Sequence, residues 1–209
     1  QPRQLLFSFL SLLPLLLLFF FSFLLPPPPP PPPRFLACSQ SVVVEAVVPG
    51  QVHLDLLRAG VIGDPYYRDN DTAQRWVALD NWTYTATFAL PALPATGATV
   101  DLVFEGLDTV VTVAINGQPL GGAANMFTPH AFRLEPGQLR AGNNTLEVAF
   151  ASAITYVKQQ QRAYPYPVPP AHRQPAEHGF DLAQFVRKEQ CSFGWDWAPA
   201  FASCGQPIA

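Results

Sequence analysis

The segment Trp82-Thr83-Tyr84-Thr85-Ala86-Thr87-Phe88-Ala89-Leu90 alternates almost without interruption. Trp82, Tyr84, Ala86, Phe88 and Leu90 fall on one side, and the threonines on the other. A period of two puts the apolar set on one face of a strand, with one face buried and the other wet. Such a strand needs partners, and the chain supplies them at short spacing. Val42 to Val48 is β-branched and ends at Pro49-Gly50, and Thr99 to Phe104 and Val110 to Ile115 follow. Asn116-Gly117 then marks a two-residue hairpin, because both residues tolerate positive φ. Glu135-Pro136-Gly137 and Ala141-Gly142-Asn143 lead to a further strand, Thr145 to Ala151. Short strands between turn signals predict an all-β fold, an antiparallel β-sandwich or jelly roll. Helices are expected only near Val52 to Ala59 and near Ile154 to Arg162.

The start of the chain is of another kind. Gln4 to Leu25 is almost wholly Leu and Phe, broken by Ser8, Ser11, Pro14 and Ser22 and preceded by Arg3. Residues 1–25 are expected to be a signal peptide, or a membrane anchor if uncleaved, since about 20 apolar residues span a bilayer. Pro26 to Pro33 is an unbroken octaproline, which predicts a stiff polyproline II spacer over residues 26–37. The folded domain is expected over residues 38–201, followed by an atypical tail over 202–209. Near its end, Tyr164 to Pro175 is so rich in proline that no interior strand can form there, and an extended loop is expected.

Charge and cysteines exclude several classes. Net charge is −3 with no basic cluster, which leaves nucleic acid no electrostatic footprint. Cys38, Cys191 and Cys204 show no metal-ligand spacing and allow one disulfide at most. No metal and no cofactor are expected. The sequons at Asn70, Asn81 and Asn143 agree with passage through the secretory pathway. Asn143 lies in an expected turn, whereas Asn81 abuts a strand and is expected to be more buried.

The strongest chemical signal lies in Arg187-Lys188-Glu189-Gln190-Cys191-Ser192-Phe193-Gly194-Trp195-Asp196-Trp197-Ala198-Pro199. A carboxylate between two indoles suits a sugar: it accepts paired hydrogen bonds from vicinal hydroxyls, and an indole covers the C–H face of a pyranose. The same spacing also fits a strand whose Trp195 and Trp197 pack a core while Asp196 meets solvent.

Several ordered blocks resemble the β-mannosidases of glycoside hydrolase family 2. They are Val48 to His53, Asp64 to Asp71, Arg75 to Tyr84, Phe104 to Val110, Asn125-Met126-Phe127 and Phe185 to Pro199. The resemblance covers residues 43–201. It implies the family's N-terminal, galactose-binding-like jelly roll, which precedes an immunoglobulin-like domain and a catalytic barrel. The implied activity is hydrolysis of terminal, non-reducing β-D-mannose with retention of configuration, in the lysosome for the animal enzymes. Matched residue by residue, Trp195, Asp196 and Trp197 contact the sugar, and Arg187, Lys188 and Glu189 support the loop. Such an enzyme needs two carboxyl groups about 5–5.5 Å apart. In the family both are barrel glutamates, so none is expected in this chain, and the missing barrel is its expected partner. Glu189 and Asp196 are a poor substitute, since seven extended residues span up to about 23 Å.

The pattern also departs from the family. A cysteine pair usual in the animal enzymes is replaced near Ala171 and His178, and Ala198 stands where glycine is usual. After Phe201 the pattern stops, which leaves Cys204 in the tail. The competing expectations are a stand-alone carbohydrate-binding or membrane-anchored module, and a non-functional truncated product.

Overall fold

Alternation in the Trp82–Leu90 segment becomes a nine-residue strand at the centre of a six-stranded antiparallel sheet. The computed structural model describes residues 34–39, 42–95, 97–169 and 179–206. The expected signal segment, the octaproline and the positions near Ala171 and His178 lie outside them. In chain order the strands are β1 (Arg34–Cys38), β2 (Val43–Ala46), β3 (Gly50–Gln51), β4 (Trp82–Leu90) and β5 (Val100–Phe104). They continue with β6 (Val110–Ile115), β7 (Gln118–Ala124), β8 (His130–Leu134), β9 (Gly142–Ala151) and β10 (Gly205–Gln206). The helices are α1 (Val52–Arg58), α2 (Asn70–Ala73), α3 (Trp76–Leu79) and α4 (Ala153–Ala163). The large sheet runs β2-β1-β4-β9-β6-β7, and β5-β8 and β3-β10 form two small ladders.

Register explains the core. Ala37 pairs with both Val44 and Tyr84, Tyr84 with Val148, and Val148 with Val113. That row crosses five strands with every member buried, and Trp82, Phe150 and Val111 form a second row beside it. Directly paired residues share a face, so one slip of register would turn the whole row to solvent. The rows pack against Val52 and Leu56 of α1, and β5-β8 covers them with Leu102, Phe104 and Phe132. This is the sandwich the sequence implies.

Side-chain hydrogen bonds lock the layers together. Asp55 of α1 is fully buried and accepts from the Val47 N–H and from the Tyr84 hydroxyl, at 3.1 and 3.0 Å, and pairs with Arg58. Burial pushes its carboxyl up against these bonds, and burial also raises the Tyr84 phenol. Asn116 and Gly117 take φ of 52° and 76°, the left-handed hairpin expected of that pair.

Both expected helices form. α4 is capped by Ser152, whose hydroxyl accepts from the Thr155 N–H at 3.2 Å, and it buries Ala153, Ile154 and Val157. Two boundaries differ from expectation. β1 begins at Arg34, inside the expected spacer, because residues 34–38 find partners on both β2 and β4. The tail is also part of the fold: Ala202 and Ser203 are buried, and β10 pairs with β3. Gly205 permits that approach, since a Cβ on it would stand 2.2 Å from the Gly50 carbonyl oxygen.

Candidate sugar-binding site

The segment carrying the tryptophans stands on a second core. Phe180, Val186, Phe193, Ala200 and Ala202 pack with Ala78 and with Ala153, Ile154 and Val157 of α4. Backbone bonds close its base: the Phe180 N–H donates to Phe193 at 2.7 Å, and the Ala202 N–H to Ser192 at 2.8 Å. Lys188 is 2% exposed. Its ammonium pairs with Asp108 and donates to the Ser203 carbonyl at 2.7 Å. Asp108 also exchanges backbone hydrogen bonds with Gly205, of 2.8 and 3.0 Å, and accepts from the Thr109 hydroxyl. The Ser203 hydroxyl lies 2.9 Å from His53 Nδ1. Burial, reinforced by the Lys188 charge, pushes the His53 imidazole down to about 4. One buried ammonium thus ties the base of the site to the β5–β6 turn and to the tail, by way of Asp108 and Ser203.

Beyond Phe193 the chain turns outward. Gly194 takes φ of 118°, a conformation that favours glycine, and it separates buried Phe193 from exposed Trp195. Trp195 and Ala198 then exchange backbone hydrogen bonds of 3.2 and 3.4 Å, closing a tight turn with Asp196 and Trp197 at its tip. Trp195 is 46% exposed and Trp197 79%, and their rings meet edge to face at 6.4 Å. They are not core residues, which excludes the buried-strand reading of this spacing. With Asp196, Ala198 and Pro199 they line one side of a cavity of about 360 Å³, in the range that takes small ligands. Pro65, Tyr66, Arg68 and Asp71 line the rest.

The family described as glycosyl hydrolase 2 galactose-binding domain-like matches residues 34–206, which include this cavity and the buried base beneath it. The chain belongs to this family. Its curated relatives include the β-mannosidase of Bos taurus, 43% identical over 166 residues, and β-mannosidase A of Emericella nidulans, 39% identical over 166 residues. These alignments take in 79% and 78% of this chain but 19% and 17% of the relatives, so the chain spans about a fifth of their length. The solved β-D-mannosidase of Dictyoglomus thermophilum is 33% identical, with a TM-score of 0.73 over 83% of this chain and 20% of that one.

In this galactose-binding-like domain the residues singled out by sequence part into two groups. Trp195, Asp196 and Trp197 share the cavity, whereas Arg187, Lys188 and Glu189 do not line it. Arg187 instead covers the Phe127 ring at 5.6 Å, Lys188 is buried against Asp108, and Glu189 accepts from the Ser192 hydroxyl at 2.6 Å. The Glu189 N–H lies 3.1 Å from Met126 Sδ, and the Met126 N–H donates to Arg187 at 3.0 Å. Asn125-Met126-Phe127, a block shared with the family resemblance, is therefore the outer brace of the same loop.

Sequence reasoning gave no role to Asp108, Ser203 or His53, which are far from Lys188 in the chain, nor to Tyr66, Arg68 and Asp71. The last three lie inside a block that carries the resemblance, and that was the available signal. All three cysteines are free thiols. Cys204, placed by sequence in the atypical tail, is partly buried in the core, where burial raises its thiol pKa, and its carbonyl accepts from the Val52 N–H at 3.1 Å. Among the described residues no group of three or more His, Cys, Asp or Glu could hold a metal ion. Asn81 and Asn143 are both exposed, contrary to the expected burial of Asn81, and the Asn81 side-chain oxygen accepts from the Ser152 N–H at 2.8 Å.

Proposed function

We propose that this chain supplies the sugar-contacting wall of a β-mannosidase that removes terminal, non-reducing β-D-mannose from oligosaccharides with retention of configuration. The observation that carries the reading is the exposed Trp195-Asp196-Trp197 tip over a small cavity, in a chain 43% identical to the bovine enzyme. Asp196 accepts hydrogen bonds from adjacent hydroxyls of the terminal sugar, and the indoles cover its C–H face and exclude water. Arg187, Lys188 and Glu189 fix the loop from beneath and beside it, so that the tip is ordered before the sugar arrives. The acid/base and nucleophilic carboxyl groups belong to a barrel of the same polypeptide outside these 209 residues, which is the domain's partner.

Passage to the lysosome through the secretory pathway fits the three sequons and the mammalian relatives. Among the described residues no helix is long and apolar enough to cross a membrane.

The test is hydrolysis of 4-nitrophenyl β-D-mannoside by this chain alone. No release of nitrophenol above the buffer rate is expected. Turnover that survives purification would place the catalytic carboxyls within this chain and overturn the assignment.

A further inference from the structure

The cavity has a second wall to which the proposed reading gives no task. It is built by the loop of residues 64–71, which contributes Tyr66, Arg68 and Asp71 to the same lining as the tryptophan turn. The loop is held by its own hydrogen bonds. The Tyr66 N–H donates to Asp64 Oδ1 at 2.9 Å, Asn70 Nδ2 donates to the Asp64 carbonyl at 2.7 Å, and Gln74 Nε2 donates to the Gly63 carbonyl at 3.1 Å. Tyr66 meets Phe201 edge to face at 5.3 Å, and Phe201 meets His53 at 5.2 Å, so this wall rests on the same buried base as the other. Arg68 adopts φ of 51°, rare for a residue with a side chain, and its guanidinium lies 5.1 Å from the Tyr67 ring centroid.

The ion pairs among the described residues are Asp55–Arg58, Asp101–Arg133 and Asp108–Lys188. Arg68 and Asp71 belong to none of them. Their charges are thus free to meet a ligand in the cavity they line. Two carboxylates, Asp71 and Asp196, and one guanidinium, Arg68, leave the cavity walls with one net negative charge. Such a lining gives acceptors and donors for the hydroxyl groups of a ring, yet disfavours a ring that carries its own carboxylate.

We propose that Arg68 and Asp71 contact the sugar directly in the cavity they share with Trp195-Asp196-Trp197, and that the lining as a whole selects uncharged pyranosides over uronates. The assignment rests on the cavity being a sugar site, as proposed above. Asp71 accepts from ring hydroxyls, and Arg68 donates to a hydroxyl oxygen that Asp196 does not reach.

The experiment is a titration of the full chain with methyl β-D-mannopyranoside, followed by the indole N–H resonances of its four tryptophans. Trp195 and Trp197 are expected to shift saturably, while buried Trp82, whose indole N–H donates to Val77 at 2.9 Å, stays still. Arg68→Ala and Asp71→Asn should each weaken binding about tenfold, the scale of a lost charge-assisted hydrogen bond. Their thermal midpoints should not move. Asp71→Asn should in addition admit methyl β-D-glucuronide, which the wild-type chain rejects.

Outcomes separate the two claims. If the mannoside binds and Asp196→Ala abolishes it while Arg68→Ala and Asp71→Asn titrate like wild type, the second wall is not a sugar contact and the first stands. If no indole responds at saturating sugar, the sugar-site reading falls and this assignment falls with it.

Discussion

Lys188 and Trp195 are seven positions apart on one segment, and they meet opposite surroundings. Lys188 is 2% exposed, paired with Asp108 and bonded to Ser203, while Trp195 and Trp197 are 46% and 79% exposed and meet each other edge to face. The order of the segment is established at its base, through contacts to residues 80 and 15 positions distant, and the tip is left free. A ligand-facing turn gains from this division, because side chains fixed before binding lose less entropy on binding. It also means that stability and recognition should separate by mutation within a dozen residues.

The sharpest way to break the contrast is Lys188→Ala. Removing the ammonium leaves the Asp108 carboxylate enclosed and unpaired, which costs about 3–5 kcal/mol. The urea midpoint should fall steeply, and the indole resonances of Trp195 and Trp197 should collapse toward random-coil positions. A wild-type midpoint would mean that the pair does not hold the base.

Acid should produce the next largest effect. His53 is neutral in the folded chain because its pKa is lowered from 6.5 to about 4, so between these values the unfolded chain binds more protons. Stability from this residue is fully present above pH 6.5 and is lost as pH falls through the window to about 4, on the order of 3 kcal/mol in all. Asp55, whose carboxyl is raised by burial, works in the opposite direction above its ordinary value. His53→Gln should therefore flatten the urea-midpoint profile between pH 4 and 6.5 without removing the part due to Asp55. An unchanged slope would show that His53 is not the titrating group.

At the tip, Trp197→Ala should change stability by less than about 0.5 kcal/mol while removing the response to mannoside. A large loss of stability would place Trp197 in the core after all. The smallest effect belongs to Arg133→Ala. Its pairing with Asp101 lies on the surface between β5 and β8, and the urea midpoint should not move measurably. It is the counterpart to Lys188→Ala: the same type of pairing in water rather than inside.

What was legible in the sequence was local. β4 and β6 match their apolar runs, Asn116-Gly117 makes its hairpin, and the helices expected near Val52 and Ile154 form. β7 was not legible, because Gln118–Ala124 contains a proline and two glycines and becomes a strand only by pairing with β6. The one-turn helices α2 and α3 are too short to carry a period. The tail was misjudged for a related reason. Nothing in Ala202-Ser203-Cys204-Gly205 is distinctive until Gly50, His53 and Lys188 are brought against it.

Of the site, the tryptophan turn was legible because its residue types carry the chemistry themselves. Its supports were not, since Asp108 and Lys188 are 80 residues apart and each alone looks like a surface charge. The wall of Tyr66, Arg68 and Asp71 lay in between: its sequence block stood out, but only the fold shows that it lines the same cavity as the tryptophans.

The most direct test is calorimetric binding of methyl β-D-mannopyranoside to the full chain, with Asp196→Ala alongside. Binding in the millimolar range is expected, about 4 kcal/mol, with no detectable heat from the variant. Equal binding by the two proteins, with both folded, would contradict the claim that this turn is where the sugar sits.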